Sequence, residues 1–184
     1  MDFKIFLRAS FIACALVAQC AFADESPAQA PETESGVLRY RDGIQQIIDR
    51  ALDLIGIRYR RSGANPQTGF DCSGFVGYVF HEGLGLILPR ASSEISKAGT
   101  PVSKDELKPG DLVFFNTMRH AFSHVGIYLG DDLFVHAPRT GEAIRIDHLQ
   151  EHYWAKRYSG ARRMSASVGL SMHNDDRRRG AGPR

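Results

Sequence analysis

One cysteine and two histidines in this chain have the types and spacing for nucleophilic catalysis. Cys72 stands in "GFDCSGFVGYVF" (69–80), between Asp71 and Ser73. Phe75, Val76, Val79 and Phe80 follow at i, i+1, i+4 and i+5, the pattern of one apolar helix face. Asp71 is a natural N-cap, which puts Cys72 in the first helical turn. There the unpaired N–H groups and the macrodipole favour negative charge, so the position should lower the thiol pKa and make a nucleophile. Ser73 and Gly74 are small enough to leave room beside the sulfur.

A nucleophilic thiol needs a base, and the base needs a group that orients it. Of the seven histidines, His124 and His136 fall in neighbouring predicted strands. A hairpin turning through Gly130-Asp131-Asp132, with Leu129 opposite Leu133, sets Ile127 against Val135 and Gly126 against His136. Val125, Ile127, Leu129, Leu133 and Val135 then share one face. His124, Gly126, Tyr128, Phe134 and His136 share the other. Diagonal neighbours on a sheet lie roughly 7–8 Å apart, within reach of ring-sized side chains. A one-residue slip would separate the histidines and spoil the apolar face. A single histidine in a strand reads as a satisfied polar residue, but two on one face point to chemistry when a helix-start thiol lies elsewhere in the chain. His120 is the rival base, in the loop before that strand. His81, His148, His152 and His173 read as structural or solvated. Cys72, His124 and His136 also make a three-ligand zinc set, which a thiol flanked by Asp and Ser fits less well.

The elements that position these residues follow a short leader. The chain of 184 residues opens "MDFKIFLRASFIACALVAQCAFADES". Lys4 and Arg8 precede an apolar run, and Ala21-Phe22-Ala23 forms a small-x-small site, so residues 1–23 read as a secretory signal peptide. Cys20 after "LVAQ" offers a lipoprotein reading instead, though Gln19 fits that signal poorly. Cys14 and Cys20 leave with the leader, and Cys72 becomes the single thiol of the mature chain, unable to form an internal disulfide. In an oxidising compartment such a thiol is either buried, the common fate of free cysteine, or used. No later stretch is long and apolar enough to span a membrane, which needs about 20 residues. The formal net charge of +2 stays near neutral once Lys4, Arg8 and Asp2 are removed, which gives no argument for nucleic acid.

Residues 24–40, acidic and rich in Pro and Ala at their start, read as a linker. Ile44, Ile47, Ile48, Ala51, Leu52 and Ile55 recur at helical spacing up to Gly56. Ser103 and Glu106 have capping-box spacing. The period then shifts to two, and 111–115, 124–129, 133–137 and 143–147 read as strands. Helices first and a strand meander afterwards predict an α+β domain over 41–164, its helices on one face of an antiparallel sheet. Residues 165–184 read as a disordered basic tail. Arg177 to Arg179 within it are a solvated charge run or a contact for anionic polymer.

Six motifs in order carry a resemblance: "RYRRSG" (58–63), "GFDCSGFV" (69–76), "LPRASSE" (88–94), "KPGDLVFF" (108–115), "HVGIYLGDDLFVHAP" (124–138) and "YWAKRYSGARR" (153–163). The sequence resembles the NlpC-type cell-wall cysteine peptidases, single-domain enzymes of papain-like fold, and the resemblance covers about Ile44 to Met164. The resemblance implies Cys72 as nucleophile, His124 as base and His136 as the third, orienting residue. It implies Tyr59 beside the thiol, holding substrate or the oxyanion. Asp71 and Ser73 become substrate-contacting candidates, with Asp71 equally read as a helix cap alone. Two positions depart from the family pattern: Ser62 replaces the first of two glycines, and Ile95 replaces a glutamine five residues after Arg90. The implied substrate is the peptidoglycan stem peptide, cut at the γ-D-glutamyl–meso-diaminopimelate bond or at the D-alanyl–meso-diaminopimelate crosslink. No cofactor or metal is implied. The expected protein is an exported monomer, periplasmic or extracellular, with no nucleic-acid partner and no integral membrane segment. A wall-binding module without catalysis, and a thiol amidase or acyltransferase of the same fold, are the alternatives.

Overall fold

A computed structural model describes residues 34–118 and 120–164, with side chains from residue 41 onward. The leader and the basic tail lie outside these residues. The order is α1 (Glu34–Asp53), β1 (Ala64–Asn65), β2 (Gly69–Phe70), α2 (Cys72–Leu84), α3 (Ser92–Ile95), β3 (Thr100–Val102), a 3-10 turn (Lys104–Glu106), β4 (Leu112–Phe115), β5 (His124–Gly130), β6 (Leu133–His136), β7 (Arg145–His148), α4 (His152–Ala155) and β8 (Tyr158–Arg163). Six strands form one antiparallel sheet in the order β3-β8-β4-β5-β6-β7, and β1 and β2 make a separate two-stranded ribbon. The α+β class predicted from the sequence is what the chain adopts.

α1 begins earlier than expected. Residues 34–40, read as linker, are helical, because a helix nucleated further along propagates cheaply through residues without proline. Ile47 and Ala51 are buried on α1 and Leu54 just past its end, while Leu52 and Ile55 are exposed. α2 starts and stops where its chemistry dictates. Asp71 accepts from the Gly74 N–H at 2.8 Å, and Gly85, in the left-handed region at φ 65°, closes the C-terminus with bonds back to His81 and Phe80.

β4 is buried on both faces and separates two cores. Leu112 and Phe114 join Val125, Ile127 and Val135 under α1 and α2. Val113 and Phe115 face a second cluster with Tyr128, Phe134, Leu149, Trp154 and Ala161. The expectation of helices on one face therefore needs amending: α4 brings Trp154 onto the opposite face, where the rings of Phe115, Phe134 and Trp154 lie 4.8 to 5.2 Å apart. The β5–β6 hairpin also turns differently. Asp131 and Asp132 alone form the loop, both at positive φ, and Gly130 pairs with Leu133. Two positive φ values match the right-handed twist of the strands. The register shifts between Tyr128 and Gly130, which restores the expected Ile127–Val135 pair. Ser103 does not close a capping box; its hydroxyl bonds the Glu106 carboxylate instead.

Candidate active site

Three segments converge on the start of α2. Asp71 receives N–H groups from Ser62 (3.0 Å) and Gly74 (2.8 Å), the Ser73 hydroxyl (3.3 Å), and both terminal nitrogens of Arg90 (2.6 and 2.9 Å). Arg90 also donates to the Ser73 hydroxyl at 2.9 Å and reaches the Gly63 carbonyl at 3.4 Å. A carboxylate offers about four acceptor sites, so Asp71 is fully engaged in holding this turn. Gly74 packs against the same loop so closely that a Cβ there would stand 2.1 Å from the Gly63 oxygen. Ser62, in the place where the family pattern has glycine, sits at φ 62°. Ile95, the other departure, is fully buried in the helix-side core.

Cys72 is half-buried and free. The backbone N–H groups of Val125, Ser73 and Cys72 itself are directed at its sulfur and favour the thiolate. Burial and the adjacent Asp71 charge outweigh them, and the thiol pKa is pushed up to about 11. The helix start therefore does not produce the depressed pKa expected from the sequence. Val125, whose backbone N–H is among those that favour the thiolate, is the residue after His124, at the entry of β5. Tyr59 belongs to the same neighbourhood. Its main chain is hydrogen-bonded to Glu142 and bridged to Phe70. Burial, then the nearby Cys72 and Asp71, raise its pKa and keep the hydroxyl protonated.

The histidines lie on the aromatic face of the sheet. His124 and His136 are 3% and 0% exposed. His124 Nε2 and His136 Nδ1 are 2.8 Å apart, as the shared-face argument required. Gly126 is the reason that room exists: a Cβ there would meet the Phe134 ring at 2.7 Å and His136 Cβ at 3.2 Å. Trp154 stacks on His124 at 5.5 Å and 22°, and meets His136 edge-on at 4.9 Å. Burial drives the His124 pKa well below its ordinary value, and the neighbouring His136 adds to this. Burial lowers His136 too, against the pull of Asp147. Ser123 orders the preceding loop by accepting N–H groups from Thr117 and Met118. His120, the rival base, is exposed, and among the described residues its ring is hydrogen-bonded to the Ala121 carbonyl.

Two residues of this site escaped the sequence reading. Arg90 stood in a quoted motif, but its partner lies 19 residues away, across α2 and the loop that follows it. Asp147 lies 2.9 Å from His136 Nε2. Its signal was present: in β7 it pairs with Phe134, which puts it on the histidine face. The aliphatic residues of that segment, Ile144 and Ile146, have the other parity, yet Ile146 is 38% exposed and Asp147 only 8%.

The NlpC/P60 family model matches residues 56–163. The chain is 42% identical over 120 residues to murein DD-endopeptidase MepH of Escherichia coli K12, covering 64% of this chain and 44% of that one. It is also 42% identical over 142 residues to the murein DD-endopeptidase MepS/murein LD-carboxypeptidase of the same strain, covering 77% and 74%. The chain thus spans less than half the length of the first relative and about three quarters of the second. Among solved structures, an NlpC/P60 family protein from Bacillus cereus ATCC 10987 superposes with a TM-score of 0.61 at 33% identity, covering 65% of this chain and 39% of that one. The chain belongs to the NlpC/P60 family.

Proposed function

We propose that this protein is an exported cysteine peptidase that hydrolyses an amide bond of the peptidoglycan stem peptide. The observation that carries the mechanism is the 2.8 Å bond between His124 Nε2 and His136 Nδ1, in a chain whose Cys72 thiol is free. It consumes one nitrogen of His124 and leaves Nδ1 for the thiol proton. Both partners rest uncharged at neutral pH, since burial raises the thiol and lowers the imidazole. The proton therefore moves from sulfur to His124 as sulfur attacks the carbonyl carbon. The Cys72 N–H and the Tyr59 hydroxyl are the donors for the tetrahedral oxyanion, one such donor being worth about 3–4 kcal/mol. Collapse expels the amine, which takes the proton from His124. Water, deprotonated by the same imidazole, then cleaves the thioester and regenerates the thiol.

In this reading His136 orients His124 and Tyr59 faces substrate. Asp71 and Ser73, offered by the resemblance as substrate contacts, serve instead to hold the nucleophile, because their polar atoms are already bonded to Arg90 and the surrounding loop. Both named relatives carry a DD-endopeptidase name, which supports the D-alanyl–meso-diaminopimelate crosslink as the scissile bond, whereas the gamma-DL-glutamyl hydrolase of Bacillus subtilis, also 42% identical, supports the γ-glutamyl bond. Export rests on the leader at 1–23, and the protein is read as a soluble monomer in the periplasm or outside the cell rather than lipid-anchored at Cys20. No helix among the described residues is long and apolar enough to cross a membrane. Digestion of purified sacculi followed by mass spectrometry tests the proposal. A new amino group on the D-centre of diaminopimelate is the expected result. One on the L-centre would move the cut to the γ-glutamyl side. No liberated diaminopimelate amine would overturn the reading.

A further inference from the structure

Building on the Cys72–His124 reading, we propose that Asp147 is a positioning residue that sets the tautomers of both imidazoles, and so leaves His124 Nδ1 bare to act as base. The argument runs along a chain of bonds. Asp147 receives only donors: Trp154 Nε1 at 3.0 Å, Arg145 Nε at 2.8 Å and a terminal Arg145 nitrogen at 3.1 Å. Its remaining partner is His136 Nε2 at 2.9 Å. An ionised carboxylate accepts and never donates, so His136 must carry its proton on Nε2. A neutral imidazole has one N–H, which makes His136 Nδ1 an acceptor. His124 must then donate from Nε2 across the 2.8 Å contact. Its Nδ1 is left with a lone pair. Among the described residues the rings packed on the two imidazoles are Phe115, Phe134 and Trp154, and none of them is hydrogen-bonded to an imidazole nitrogen. The same carboxylate anchors the indole that stacks on His124, so one residue sets both the proton positions and one wall of the cage.

A purely structural staple would join β7 to α4 through the same bonds, so the test must read protons as well as stability. Nitrogen-15 spectra of the histidine rings in the wild-type protein near neutral pH are predicted to show Nε2 protonated and Nδ1 bare at both His124 and His136. Asp147→Asn keeps the shape but can offer an N–H to His136 Nε2, which reverses the chain. That variant should unfold cooperatively and show a changed tautomer in at least one ring. Its kcat on soluble muropeptide should fall about 100-fold, with KM within about threefold. Loss of the carboxylate directly bonded to a catalytic histidine costs about 10⁴ elsewhere, and here one more imidazole intervenes. Wild-type rings protonated on Nδ1, or a folded Asp147→Asn with wild-type kcat, would overturn the proposal. If that variant does not fold, the wild-type spectrum decides alone. Cys72→Ala assayed beside it separates the two readings: activity surviving there sinks the nucleophile, while the ring spectra still judge Asp147.

Discussion

The thiol side and the imidazole side of this site are built by opposite means. Cys72 is held by loops and charges: the Asp71 carboxylate, the half-exposed Arg90, and N–H groups from three residues. The imidazoles are held by strand register and aromatic walls, with almost no exposure. Yet burial acts on both in the same sense, keeping the acid protonated and the base unprotonated. The contrast shows why the pair need not be an ion pair at rest. Neither environment supports a lone charge, so in the proposed mechanism charge separation is deferred to the moment the carbonyl is attacked. The His136–Asp147 chain then faces the imidazolium that forms.

The strongest way to break this comparison is to remove either reacting atom. Cys72→Ala and His124→Ala should each lower kcat on sacculi by at least about 10⁴-fold, and the double variant should be little worse, because the residues act as a unit. Product release measured for the three variants checks this, and additive losses would contradict it. Next in size is Gly126→Ala on the strand side. Overpacking a closed core costs about 1–3 kcal/mol, and the methyl group would press on Phe134 and His136. Urea titration should show that loss, and activity should fall about 100-fold as the two rings separate.

Arg90→Ala on the thiol side should do less. The pair with Asp71 is half exposed on the arginine side, so stability should fall by only about 1 kcal/mol. The uncompensated Asp71 charge should make the thiolate harder to form, lowering kcat about 10-fold. The smallest effect concerns stability against pH. His124 and His136 bind protons less readily folded than unfolded, so the unfolded state binds more protons below about pH 6.5. Stability should therefore fall as pH drops from 7 to 5. Asp147, held well below the usual carboxylate range because bonds from His136 and Arg145 outweigh its burial, adds a further loss under about pH 4. Urea midpoints across that range test the sign.

The same contrast explains what the sequence reveals. The histidine face was legible because strand period is two: once Ile127 is set against Val135, His124 and His136 must be diagonal neighbours. α2 was legible because Asp71, Cys72 and its apolar face are contiguous. β8 was not, although it sits between β3 and β4, because "YSGARR" has a single fully buried residue, Ala161, and pairs through its backbone. The Asp71–Arg90 clamp was hidden for a different reason, since no periodicity relates the cap of α2 to a residue in the loop beyond that helix. The depressed thiol pKa failed because a helix terminus predicts only one of the three influences on a charge, and burial and Asp71 were the larger two here.

The most direct test of an uncharged resting pair is the rate of Cys72 alkylation by iodoacetamide against pH, followed by intact mass. The account predicts slow modification at pH 7 and a rate still climbing through pH 9 to 10, as a thiol near 11 requires. A plateau already reached below pH 7 would mean a preformed thiolate–imidazolium pair and would contradict it.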